Sequence, residues 1–122
     1  MGLYLLIFRV LLLIPLYLFG DGDFITDFEY GGMLYNNPRG ISCASCHGEA
    51  GEGKKIVEYR DKNGKTIVIE GIDIRSKTLD EISKTVARNH PVMPKYYLTN
   101  EEINAIYYYI QRTNFPQKFI GK

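Results

Sequence analysis

The five residues Cys43-Ala44-Ser45-Cys46-His47 constrain this chain more than any other stretch, because they gather both of its cysteines and one of its two histidines. Residues three apart on a helical turn share a face, so both thiols can reach one flat ligand while the adjacent imidazole approaches its centre. C-x-x-C-H is the spacing of covalent c-type haem attachment. Two other readings of the cysteines fit less well. A thioredoxin-like dithiol calls for a β-α-β surround, which the flanking residues do not show. A structural zinc site needs four ligands, more than the cysteines and histidines here supply at usable spacing.

If haem is attached at Cys43 and Cys46, His47 is the proximal ligand and the sixth position needs a second group. Methionine opposite histidine raises the potential and suits electron transfer. Met93, in Pro91-Val92-Met93-Pro94, is the candidate, and the flanking prolines restrain its loop. His90 competes with it for the same place.

The order of motifs resembles a small class I cytochrome c: Gly32-Met33-Leu34-Tyr35, then Cys43 to Gly48 with Gly51 and Gly53, then Val92 to Tyr96, then Leu98 to Ile103 leading into Ile106-Tyr107-Tyr108-Tyr109-Ile110. The likeness covers about residues 26 to 113. It implies thioethers from Cys43 and Cys46, axial ligation by His47 and Met93, one covalent haem c per chain, and a mainly α fold with crossing first and last helices. Many members of that class also place a proline a dozen or so residues after the proximal histidine, where its carbonyl accepts the imidazole proton. No proline stands between Pro38 and Pro91 here. Another carbonyl must therefore orient His47, since a ligating imidazole normally has its second nitrogen hydrogen-bonded.

Three S/T-x-x-E capping boxes, beginning at Thr26, Thr78 and Thr99, predict helices over about 27–36, 79–89 and 100–112. The first carries Phe28, Gly32 and Tyr35 on one face, the second Leu79, Ile82 and Val86, and the third Ile103, Ile106, Tyr107 and Ile110. The pair Gly31-Gly32 costs about 1 kcal/mol per glycine in helix propensity. By the resemblance a small residue here admits the last helix, with Tyr107 expected to pack on it; fraying is the alternative. Between the first two boxes, β-rich runs flank Asn63-Gly64 and predict a hairpin over about 55–70. The expected fold is thus mainly α, three main helices around one haem with an inserted β-hairpin. The hairpin would cover a haem edge or present a partner surface. Ten tyrosines without tryptophan are read as core and haem-edge residues whose hydroxyls find polar partners.

Leu3 to Phe19 is apolar apart from Arg9 and Pro15. Residues 1–20 are read as a signal peptide or an uncleaved membrane anchor, leaving 21–122 as the cytochrome c domain. Both outcomes export that domain, to a periplasmic location, soluble or anchored at the outer face of the cytoplasmic membrane. Removing residues 1–20 takes one of fifteen basic residues and none of fourteen acidic ones, so no basic excess points to nucleic acid. Acids cluster at Asp21, Asp23, Asp27 and Glu29, and lysines at Lys54, Lys55, Lys62 and Lys65, as solvated faces or as docking surfaces for a redox partner. The expected function is one-electron transfer in a bacterial respiratory chain, cycling Fe(II) and Fe(III) without catalysing a reaction, with an oxidase, a reductase or another respiratory complex as partner. The alternatives are a membrane-tethered haem subunit of an oxidoreductase complex, and a gas-sensing or peroxide-active haem domain with an open sixth site.

Overall fold

A computed structural model of the chain describes residues 2–5, 7 and 24–121. Most of the expected leader or anchor, 1–20, lies outside the described residues. Among the described residues no helix is long and apolar enough to cross a membrane.

All three capping boxes form. Helix α1, Asp27–Asn36, opens with the Glu29 amide donating to Thr26 Oγ1 at 3.2 Å and the Thr26 amide donating to the Glu29 carboxylate at 2.9 Å. A short helix α2, Cys43–His47, carries the cysteine motif. Strands β1, Lys54–Arg60, and β2, Thr66–Gly71, form an antiparallel hairpin. Helices α3, Leu79–Val86, and α4, Asn100–Asn114, open with the Thr78 and Thr99 boxes, and a 3₁₀ turn, Pro116–Phe119, follows.

Helix α3 stops three residues before the expected end. In a continuing helix the Val86 carbonyl would accept from residue 90, but it accepts the Tyr96 amide at 2.8 Å instead. Helix α4 runs to Asn114, two residues past expectation. There Asn114 Nδ2 donates to the Ile110 carbonyl at 2.8 Å and to the Ala50 carbonyl at 2.7 Å, satisfying acceptors that a helix end otherwise leaves open.

The core joins Leu34 and Tyr35 of α1, Ile82 and Val86 of α3, Tyr96, and Ile103, Ala105, Ile106 and Ile110 of α4. Helices α1 and α4 cross at Gly31, where a Cβ would overlap the Ala105 carbonyl and lie 2.9 Å from Tyr109 Cβ. The residue packed on the glycine pair is thus Tyr109, not Tyr107. Ala105 and Tyr109 are one helical turn apart and share a face, whereas Tyr107 points well away from it. Phe28 and Tyr35 hold the Tyr109 ring at centroid distances of 5.3 and 5.4 Å, so the predicted face Phe28, Gly32 and Tyr35 does form.

Glu102 ties the helix crossing to the loop before the cysteine motif. Besides closing the Thr99 box, its carboxylate takes two bonds from Arg39, at 2.7 and 2.8 Å, and Arg39 also donates to the Tyr97 carbonyl at 2.9 Å. Arg39 is in the left-handed region, φ 60°, a conformation that persists in a non-glycine residue only where its surroundings enforce it. The Arg39 bonds, aided by the Thr99 amide, hold the Glu102 carboxyl down at about 2. A depressed carboxyl stabilises the fold above its ordinary value near 4.5 and loses that contribution as pH falls toward 2. Glu102→Gln is therefore expected to lower the urea midpoint at pH 7 and to converge with the parent as pH falls from about 4.5 to 2. A gap that stayed constant down to pH 2 would assign the stabilisation to another group.

The hairpin turn is a three-residue loop, Lys62-Asn63-Gly64, that includes the Asn63-Gly64 pair. Asp61 and Lys65 close it at 2.9 Å, and Gly64 takes the left-handed position at φ 77°, the arrangement of three-residue loops. Asp61 Oδ1 accepts the amides of Asn63 and Lys65. Cross-strand pairs Val57 with Ile69 and Tyr59 with Ile67 share one face of the hairpin. Gly71 lies on the same face by alternation, and there its backbone meets the carbonyl of Cys46.

Candidate functional site

Each group named from the motif sits on an element whose local cause is visible. Helix α2 is a single turn that sets Cys43 and Cys46 three residues apart, both half-buried and with free thiols. Burial pushes the Cys43 thiol up to about 11. Thiols that exchange disulfides are shifted downward, to present thiolate at neutral pH. The shift at Cys43 is opposite, and it weighs against this thiol as an exchanging nucleophile.

His47 ends the turn. Its Nδ1 lies 2.8 Å from the carbonyl oxygen of Ile72, the first residue after β2. A carbonyl only accepts, so the hydrogen belongs on Nδ1 and the lone pair on Nε2. A neutral imidazole in that tautomer is the form that binds a metal. The orienting carbonyl that the missing proline left open is therefore supplied from the hairpin. The turn beneath is fixed from α1, where the Tyr35 hydroxyl, wholly buried, donates to the Gly48 carbonyl at 2.6 Å. Burial raises the Tyr35 hydroxyl well above its ordinary value, which keeps it a donor.

Met93 lies in the bend after α3, half-buried against the same core cluster that Cys43 and Ala44 contact. The structure thus brings the motif helix and the Met93 loop to one apolar cluster. Tyr96, three residues on, is buried. Its hydroxyl donates to the Ile41 carbonyl at 2.7 Å, just before Cys43, and burial raises it to about 12. Sequence reading missed Tyr96 as a link between the two loops, although its place shortly after Met93-Pro94 was the available signal.

His90 is exposed and faces its own loop. Its Nδ1 accepts the amides of Val92 and Met93, both at 3.3 Å. A neutral imidazole accepting at Nδ1 carries its hydrogen on Nε2, so in this arrangement neither nitrogen has a lone pair for a metal. His90 organises the Met93 loop and is poorly suited to the sixth position.

The donor set suits a c-type haem. Two free thiols lie at i and i+3, one imidazole has Nε2 open and Nδ1 anchored, and one thioether sits on the same apolar cluster. A cleft of about 230 Å³ opens between the stretch before α2 and the stretch after Met93, lined by Pro38, Arg39, Ile41, Pro94, Lys95 and Tyr97 among others. No curated protein and no solved structure matches the chain. A family model described as Cytochrome c matches residues 28–114, from the first turn of α1 to the last residue of α4.

Proposed function

Because the chain belongs to the cytochrome c family, we propose that it is a one-electron carrier of the class I type, with one haem c attached at Cys43 and Cys46 and ligated by His47 and Met93. The bond between His47 Nδ1 and the Ile72 carbonyl carries this reading, because it leaves Nε2 as the only ring atom able to bind iron. The haem supplies the exchangeable electron. The protein holds the imidazole in one tautomer and orientation through Ile72. It holds the thioether in a loop braced by Pro91, Pro94 and the His90 bonds, and it walls the site with the apolar cluster. Ligation by histidine and methionine leaves no position for substrate, so the chain itself catalyses nothing, and its partners are redox proteins. The half-buried setting of Met93 and the engagement of His90 speak against an open, gas-binding site.

The proposal extends to an exported location, supported by the apolar run Leu3 to Phe19. Cell fractionation and the amino-terminal sequence of the purified protein decide between a cleaved signal and a retained anchor.

Absorption spectra of the oxidised protein, the reduced protein and the reduced protein under carbon monoxide test the function. A low-spin spectrum with the near-infrared thioether band and no carbon monoxide shift is expected. A carbon monoxide-reactive haem would move the function toward sensing or peroxide chemistry. Met93→Ala is expected to abolish the near-infrared band and to lower the potential by at least a tenfold change in the redox equilibrium, about 59 mV for one electron. An unchanged band and potential would remove Met93 from the site.

A further inference from the structure

The residues that enter and leave the hairpin lie backbone against backbone along the cysteine motif. On the entering side, the Gly53 amide donates to the His47 carbonyl at 2.7 Å. On the leaving side, the Ile74 amide donates to the Gly51 carbonyl at 2.8 Å. Between these bonds the two strands of chain are too close for side chains. A Cβ on Gly71 would overlap the Cys46 carbonyl and lie 3.1 Å from the His47 amide, and one on Gly53 would lie 2.9 Å from the Gly71 carbonyl. Gly53 also requires φ +91°, where other residues are strained. Ile72 is 60% exposed, and what this clasp presents to His47 is its backbone carbonyl. Its position depends on hairpin register, which shifts by a bulge between Lys55 and Val57.

We propose that Gly71 is a positioning residue for the axial imidazole: by letting the end of β2 lie flat on the Cys46 carbonyl, it fixes the Ile72 carbonyl on His47 Nδ1, and the inserted hairpin thereby sets the potential of the haem. The inference rests on the proposed ligation by His47 and goes beyond it, since ligation alone assigns the hairpin no part in redox tuning. A hydrogen bond from Nδ1 makes the imidazole a stronger donor. Stronger donation favours the ferric state and lowers the potential, so loosening the clasp raises it.

The haem-loaded protein with Gly71→Ala tests this against Lys62→Ala, which alters the hairpin turn far from the clasp. Gly71→Ala is expected to raise the potential by about a tenfold change in the redox equilibrium, about 59 mV for one electron. It is also expected to speed solvent exchange of the His47 Nδ1 hydrogen, followed by nuclear magnetic resonance, at least tenfold. Lys62→Ala is expected to move neither. If Gly71→Ala does not fold, replacing the Ile72–Asp73 peptide with an ester weakens the same acceptor without adding an atom, and the same two shifts are expected from it. A potential and an exchange rate unchanged in the folded Gly71→Ala protein, or in the ester protein, overturn the positioning role and leave haem ligation standing. A parent protein that carries no covalent haem overturns both. In the parent, a scalar coupling across the hydrogen bond from His47 Nδ1 to the Ile72 carbonyl carbon is expected, and its absence would count against the clasp.

Discussion

Cys43→Ala combined with Cys46→Ala is expected to yield a chain that loses all of its haem on acid denaturation, whereas the parent retains haem through denaturing electrophoresis. The two thiols occupy one turn, both half-buried, and Cys43 contacts the core cluster that also holds Met93. Each single substitution should leave one thioether and a haem still bound covalently, with a shifted haemochrome band. Without either thiol, only two axial bonds and apolar packing would hold the haem, and acid breaks the histidine bond. Haem that stayed with the double variant after denaturation would place the attachment elsewhere in the chain.

Gly31→Ala is expected to destabilise the protein by about 3 kcal/mol or more, at or beyond the upper end of overpacking costs. This is a large share of the 5–15 kcal/mol that stabilises a typical domain. The new methyl would meet the Ala105 carbonyl, a helix backbone atom that can yield only by parting α1 from α4. Gly32→Ala, one residue on, meets only the edge of the Tyr109 ring, at 3.0 Å. The ring, packed between Phe28 and Tyr35, has to give by only a few tenths of an ångström, and the substitution gains about 1 kcal/mol of helix propensity, so the net loss should be far smaller than at Gly31. Urea midpoints of the two variants check the contrast. Equal losses at both positions would show that the Tyr109 ring yields no more readily than the Ala105 backbone and would overturn the contrast.

The features legible in the sequence were those decided within a few residues. Thr26, Thr78 and Thr99 each signalled a helix start because a capping box closes over four residues. The cysteine motif was legible for the same reason, as was the hairpin around Asn63-Gly64. Illegible features were those in which a distant backbone atom decides. Nothing in the side chain of Ile72 marks its carbonyl as the partner of His47, since only hairpin register brings it there. Helix α3 had sequence enough to reach Asn89, but the Val86 carbonyl is taken by the Tyr96 amide. Tyr107 and Tyr109 differ only by rotation about α4, and the angle was set by α1 packing at Gly31 and Ala105. The absence of a proline after His47 was the one sequence signal that some unusual acceptor had to exist.

The clasp around His47 also bears on the order in which the protein assembles. Its bonds join residues at most 25 apart in sequence, from His47 to Ile72, and they depend on a hairpin, a motif that forms in about 1–10 μs. The opposite side of the site depends on contacts distant in sequence, such as the bond from Arg39, paired with Glu102 of α4, to the Tyr97 carbonyl, 58 residues apart, whose loop closure slows folding. The attachment turn and its histidine can therefore be shaped by local chain alone, while the Met93 loop waits for α4 to dock. A chain built this way offers its thiols on a formed turn while the other wall is still open, which is the arrangement that lets a bulky flat group enter before the fold closes over it.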